Sequence, residues 1–113
     1  MKEIIFYNDP GHGWYEASVA KLVKLNIADI ISGYSYLSSN GLTAYLEEDC
    51  DASTYFDALE ASGVDMKAIK PVNRYSENIF VRSLGSYAMG VNFDEFQKEF
   101  GANLTKWHKR QKS

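Results

Sequence analysis

Asn40-Gly41 lies between two stretches in which side chains alternate with a period of two, and no other feature restricts the fold as tightly. Before it, Tyr34 and Tyr36 fall on one parity and Gly33, Ser35 and Leu37 on the other. After it, Leu42, Ala44 and Leu46 share one face while Thr43, Tyr45 and Glu47 share the opposite one. That period belongs to half-buried strands, and an Asn-Gly pair accepts the positive φ angles of a tight turn. The chain is therefore expected to form a β-hairpin turning at residues 38–41, with one apolar face that some other element must cover.

The flanking sequence offers the covering elements. Ile4-Ile5-Phe6-Tyr7 is a short β-branched and aromatic run, closed by the turn formers Asn8-Asp9-Pro10-Gly11-His12-Gly13, and reads as a strand and then a loop. Residues 16–26 place Val19, Leu22 and Val23 at helical spacing with Lys21 and Lys24 turned away. A second helix has Ala52, Phe56 and Leu59 on one side, Asp51 or Ser53 to cap it and Gly63 to end it. Pro71 interrupts the following segment, so the next strand is expected at Ile79-Phe80-Val81, with a loop over residues 85–92. Phe93, Phe96, Phe100, Leu104 and Trp107 then trace one side of a C-terminal helix, with a break near Gly101. The order βαββαβα predicts a small α+β fold: a mainly antiparallel sheet with helices packed on one face. At 113 residues the whole of 1–113 is read as one domain, with 106–113 as a basic C-terminal tail.

Charge and cysteine content narrow the function classes. A formal charge of −3 argues against broad neutralisation of phosphates, so general nucleic-acid binding is not expected. Cys50 is the only cysteine, which rules out an internal disulfide and a cysteine-built zinc cluster, and suits a reducing interior. The N-terminal apolar run is too short for a signal peptide, and no later stretch approaches the roughly 20 apolar residues of a membrane span. A cytoplasmic protein without a membrane partner is expected.

The loop Asp9-Pro10-Gly11-His12-Gly13-Trp14 is one place where chemistry could reside. Backbone amides at a strand exit can cradle an anion, glycines allow close approach, and His12 brings an imidazole, the side-chain type suited to acid-base work, to a loop where a substrate could reach it. The loop lacks both the Gly-Lys-Ser/Thr of a P-loop and the three-glycine dinucleotide fingerprint. It can equally serve as a tight turn in which Trp14 packs on the sheet. Asp9, Gly11, His12, Gly13 and Trp14 are the ligand-binding candidates; no residue is assigned a catalytic role, and neither a cofactor nor a metal is assigned.

Glu47-Glu48-Asp49-Cys50-Asp51 is the second place. Paired carboxylates can bind divalent cations or act as acid and base. The run lacks the spacing of an EF-hand, however, and acids before a helix complement its dipole. Cys50 is read as a small buried residue. From Glu47 to Asp65 there are seven acids and no Lys or Arg, whereas residues 106–112 hold four bases and no acid. Glu47, Glu48, Asp49 and Asp51 are accordingly the candidates for contact with a partner.

Three segments, Phe6-Tyr7-Asn8-Asp9-Pro10-Gly11-His12-Gly13-Trp14, Ile27-Ala28-Asp29-Ile30-Ile31-Ser32-Gly33-Tyr34-Ser35-Tyr36 and Tyr45-Leu46-Glu47-Glu48-Asp49-Cys50-Asp51, resemble a group of small bacteriophage and mobile-element proteins. The likeness covers the first half of the chain. It implies a phage accessory protein in the host cytoplasm that binds a host macromolecule, namely a protein, and counters host defence; this implies a binder rather than an enzyme. The alternative from the residues themselves is a pocket protein that binds or hydrolyses an anionic small molecule, such as a nucleotide signal, at residues 9–14. A concave pocket lined by His12, Trp14 and a carboxylate favours the second reading, and a flat apolar patch the first.

Overall fold

A computed structural model describes residues 2–87; the stretch 93–107 expected as a helix and the basic tail 106–113 lie outside the described residues. The elements in chain order are β1 (Lys2–Asn8), β2 (Gly13–Ser18), α1 (Val19–Lys24), β3 (Tyr36–Leu37), β4 (Thr43–Glu47), α2 (Asp51–Ala61), β5 (Ile69–Tyr75) and β6 (Gly85–Ser86). Short 3-10 turns stand at Met66–Ala68 and Phe80–Ser83. The strands form one sheet in the order β5-β1-β2-β4-β3-β6. Among the described residues only the β1–β5 pair is parallel, so the α+β class with a mainly antiparallel sheet holds.

Strand alternation gives the sheet two apolar faces. On one, Ile4, Ala17, Leu37, Ala44 and Leu46 meet Val19, Leu22 and Val23 of α1 and Tyr55 and Leu59 of α2 in a single buried cluster. Both helices thus lie on one face, as expected. On the other, the register puts Tyr7, Trp14 and Glu47 in one row and Glu16, Tyr45 and Tyr36 in the next. That face is covered by the segment around Phe80–Ser83, whose Ile79 and Val81 bury against Trp14 and Tyr45. Among the described residues, no helix is long and apolar enough to cross a membrane.

The element order differs from βαββαβα in identifiable ways. Residues 13–18 are a strand, because Trp14 and Glu16 alternate with Tyr15 and Ala17 between two antiparallel partners. The first helix therefore starts only at Val19, where the Ser18 hydroxyl accepts the Lys21 N–H at 3.1 Å. It ends at Lys24 with Leu25 as its C-cap, and Asn26 beyond it, at φ 66°, takes the left-handed form that stops a helix. Residues 69–75 are a strand despite Pro71, since β5 lies at the sheet edge, where a missing N–H is tolerated. The Ile79-Phe80-Val81 run leads into a 3-10 turn, its apolar side chains serving as a lid on the second face. Gly85–Ser86 pairs with β3 instead of looping freely.

The expected β3–β4 hairpin is present, with its turn closed between Ser38 and Thr43. Ser38 N–H donates to the Thr43 carbonyl at 2.8 Å, and the Asn40 side-chain oxygen accepts the Leu42 N–H at 3.0 Å. Only Gly41 takes a positive φ, of 75°. Gly63, at φ 101°, ends α2 as expected.

Candidate functional site

The β1–β2 connection is a four-residue loop organised by Asp9. One oxygen of its carboxylate accepts the N–H groups of Gly11 and His12, both at 2.9 Å, while its own N–H donates to the His12 carbonyl at 3.0 Å. Arg82 donates to the same carboxylate from Nε and, at 3.1 Å, from Nη2. The Arg82 hydrogen bond, aided by the N–H groups of His12 and Gly11 against some desolvation, holds the Asp9 carboxyl well below the usual carboxylate range. Asp9 is thus committed to the loop and to Arg82, and its effect on the site is to fix the backbone that carries His12.

Neither Gly11 nor Gly13 has the positive φ expected of turn glycines. Their reason is space. A Cβ on Gly13 would stand 2.1 Å from Cζ of Phe6, and one on Gly11 would stand 3.2 Å from Nη2 of Arg82. Gly13 thereby lets the Phe6 ring lie across the hairpin, and its carbonyl accepts the Glu48 N–H at 3.0 Å. This last bond ties the His12 loop to the turn between β4 and α2.

That turn carries the acidic run, and the fold separates its members. Asp51, buried at the first position of α2, does not cap the helix through its own turn and neither does Ser53. Its carboxylate instead accepts the Ser32 N–H at 3.0 Å, the Ser32 hydroxyl at 2.7 Å and the buried Ser35 hydroxyl. Ser35 in turn accepts the Glu47 N–H at 3.0 Å. Glu47 is buried, with one oxygen accepting the Asp49 N–H at 2.8 Å and the other 3.5 Å from Nδ1 of His12. Glu48 and Asp49 remain exposed.

Cys50 is exposed as well, contrary to the expectation of a buried residue, because it precedes α2 on the outer side of the turn. Desolvation, then the neighbouring Glu47 and Asp51 carboxylates, push its thiol up, so it is no activated nucleophile.

His12, Trp14, Tyr34, Tyr36, Glu47, Asp49, Cys50 and Arg82 line one open cleft of about 260 Å³. Trp14 forms its floor at 2% exposure, with the His12 ring centroid 6.2 Å and the Tyr36 ring centroid 5.9 Å from its own. The Arg82 guanidinium lies 5.1 Å from the Trp14 ring centroid, in cation–π contact. The indole Nε1 is buried and has no hydrogen-bond partner among the described residues. Of the ligand-binding candidates, the fold brings His12 and Trp14 to the cleft wall, while Asp9, Gly11 and Gly13 shape it from behind. Of the partner-contact candidates, Glu47 and Asp49 join the same wall, Glu48 stays outside and Asp51 is internal.

Sequence reading missed Arg82, Tyr34 and Tyr36 as site residues, and offered Glu47 and Asp49 as partner contacts rather than as lining of the same cleft as His12. One signal was present: Tyr45 and Glu47 share a parity, so once residues 13–18 are read as a strand, Trp14 and Glu47 become cross-strand neighbours. A larger cavity of about 470 Å³ opens elsewhere, where β1 and β2 part, and Glu3, Glu16 and Lys21 are the charged groups in its lining. No protein-family model matches the chain, and no curated protein or solved structure matches it.

Proposed function

We propose that this chain is a small-molecule-binding protein whose ligand, an anionic molecule carrying an aromatic ring such as a nucleotide, occupies the cleft over Trp14. The supporting observation is the convergence of His12, Trp14 and the Glu47 and Asp49 carboxylates on one concave surface. The volume of about 260 Å³ lies just below the range of drug-sized ligand pockets, which suits a small molecule or one end of a larger one. Tyr34, 73% exposed, offers a stacking face, while His12 and the outer edge of Arg82 offer donors to an anionic group. Binding, not turnover, is the activity proposed.

The experiment is a thermal-shift and native mass-spectrometric screen of the full chain against nucleotides and cyclic nucleotides, each with and without divalent cations. Stabilisation that disappears in His12→Ala and weakens in Tyr34→Ala is the expected outcome. Absence of any shift overturns the reading. A second reading, a binder of a host protein within a phage accessory role, draws on the exposed Tyr34, Tyr75 and Phe80 together with exposed Glu48 and Asp49. Its sign would be retention of one host protein on the immobilised chain, lost on Tyr75→Ala and Phe80→Ala but not on His12→Ala.

A further inference from the structure

We infer that His12, Glu47 and Asp49 form a binding site for one divalent transition-metal ion of the zinc or manganese class. One donor atom from each of the three side chains lies within 4.8 Å of the other two. Ligands about 2.0–2.2 Å from a tetrahedral metal stand about 3.4 Å apart. The 3.5 Å between His12 Nδ1 and Glu47 Oε1 is already that distance. Asp49 is exposed, so rotation of its side chain can bring an oxygen into the same shell.

The supporting groups are arranged as a metal site requires. The Asp49 N–H occupies one Glu47 oxygen and leaves the other facing His12, which sets the carboxylate's orientation. Asp9 fixes the His12 backbone from the opposite side. Among the described residues, Arg82 is the Lys or Arg in the cleft wall, and it is engaged by Asp9. The mixed donor set selects the ion: imidazole favours zinc and its neighbours over magnesium or calcium, the two carboxylates also admit manganese, and there is no cysteine pair to demand a softer one.

Three protein ligands on an open cleft leave at least one coordination position to a water or to an oxygen of a bound molecule. Trp14, whose buried N–H has no hydrogen-bond partner among the described residues, belongs to the wall of the same cleft. A metal also resolves the electrostatics of the function proposed above, on which this step builds: it would cancel the charge of the two carboxylates and offer an anionic oxygen an open coordination position.

The test is calorimetric titration of the untagged full chain with Zn²⁺ alone and Mn²⁺ alone, repeated on His12→Ala, Asp49→Asn and His108→Ala. One equivalent of metal, bound at least tenfold more weakly by the His12 and Asp49 variants and unchanged in the His108 variant, supports the site. Both variants are exposed substitutions, and circular dichroism establishes that they fold. No binding, or binding that depends on His108 instead, overturns the inference. The nucleotide screen separates the two ideas: stabilisation that persists in excess chelator keeps the pocket reading and removes the metal, whereas metal binding without any nucleotide effect does the reverse.

Discussion

Gly13 and Gly41 need their missing side chains for opposite reasons, and substitution separates them. At Gly41 the cost is conformational: its φ of 75° disfavours any Cβ, while nothing stands within 4 Å of one. Gly41→Ala is expected to destabilise by about 1 kcal/mol, whatever its neighbours. At Gly13 the cost is steric, because the new methyl would enter the Phe6 ring. Gly13→Ala is expected to cost about 1–3 kcal/mol, and to lose much of that penalty in a Phe6→Ala background. A double-mutant cycle from urea denaturation measures this coupling, and additive costs would show that Phe6 is not the obstacle. Cys50 gives a chemical counterpart. Its thiol is accessible but pushed up by desolvation and by Glu47 and Asp51, so iodoacetamide should modify it more slowly at pH 7 than an unstructured cysteine. Removing charge with Asp49→Asn should speed the reaction, and an unchanged rate would mean that access, not ionisation, limits it.

At the scale of elements, the start of α2 is held by a side chain reaching outward. Asp51 binds Ser32 and Ser35, and Ser35 binds the Glu47 N–H, so one buried network joins α2, the segment before β3 and the end of β4. Asp51→Ala leaves a partly buried N–H and two hydroxyls, one of them buried, without their acceptor, and a loss of about 2–4 kcal/mol is expected in denaturant unfolding. Hydrogen exchange at the Ser32 and Glu47 amides should rise first. This network explains part of what the sequence could show and part of what it could not. The β3–β4 hairpin was legible because its turn, alternation and partner are all local, and the faces assigned to Ala44, Leu46, Tyr45 and Glu47 agree with the register. Strand β5 was not, because its pairing joins residues far apart, such as Ile4 and Pro71, and proline is a signal against a strand unless the strand is known to be an edge. The Ile79-Phe80-Val81 run failed for the complementary reason: three apolar residues suit a strand or a lid equally, and only the uncovered rings of Trp14 and Tyr45 decide. His12 and Trp14 stood out from their own loop. The roles of Glu47 and Asp49 could not, since an acidic run before a helix looks alike whether it faces solvent or a histidine across the sheet.

Across the whole molecule, the Asp9–Arg82 pair connects the first hairpin to the segment that closes the second apolar face, although 73 residues separate them. It joins the cleft's two walls, since Asp9 fixes the loop of His12 and Arg82 lies over Trp14. The pair should therefore reveal itself in acid. Asp9 titrates well below its unfolded carboxyl, mainly through the Arg82 hydrogen bond, so the unfolded chain binds its proton first. Its contribution to stability is complete above the unfolded pKa of about 3.9. It declines as the pH falls below that value and is lost on passing through the lower folded pKa. Asp9→Asn removes the contribution at every pH. The stability gap between wild type and Asp9→Asn should be constant from pH 7 to about pH 5 and then narrow as the pH drops through the carboxylate range. Guanidinium or urea curves at successive pH values measure it. The partly exposed guanidinium and high ionic strength make the gap modest, and Arg82→Gln should reproduce both its sign and its pH dependence. A gap that stays constant into strong acid would mean that Asp9 acts through its neutral hydrogen bonds to Gly11 and His12, and that the two walls of the cleft are not joined by charge.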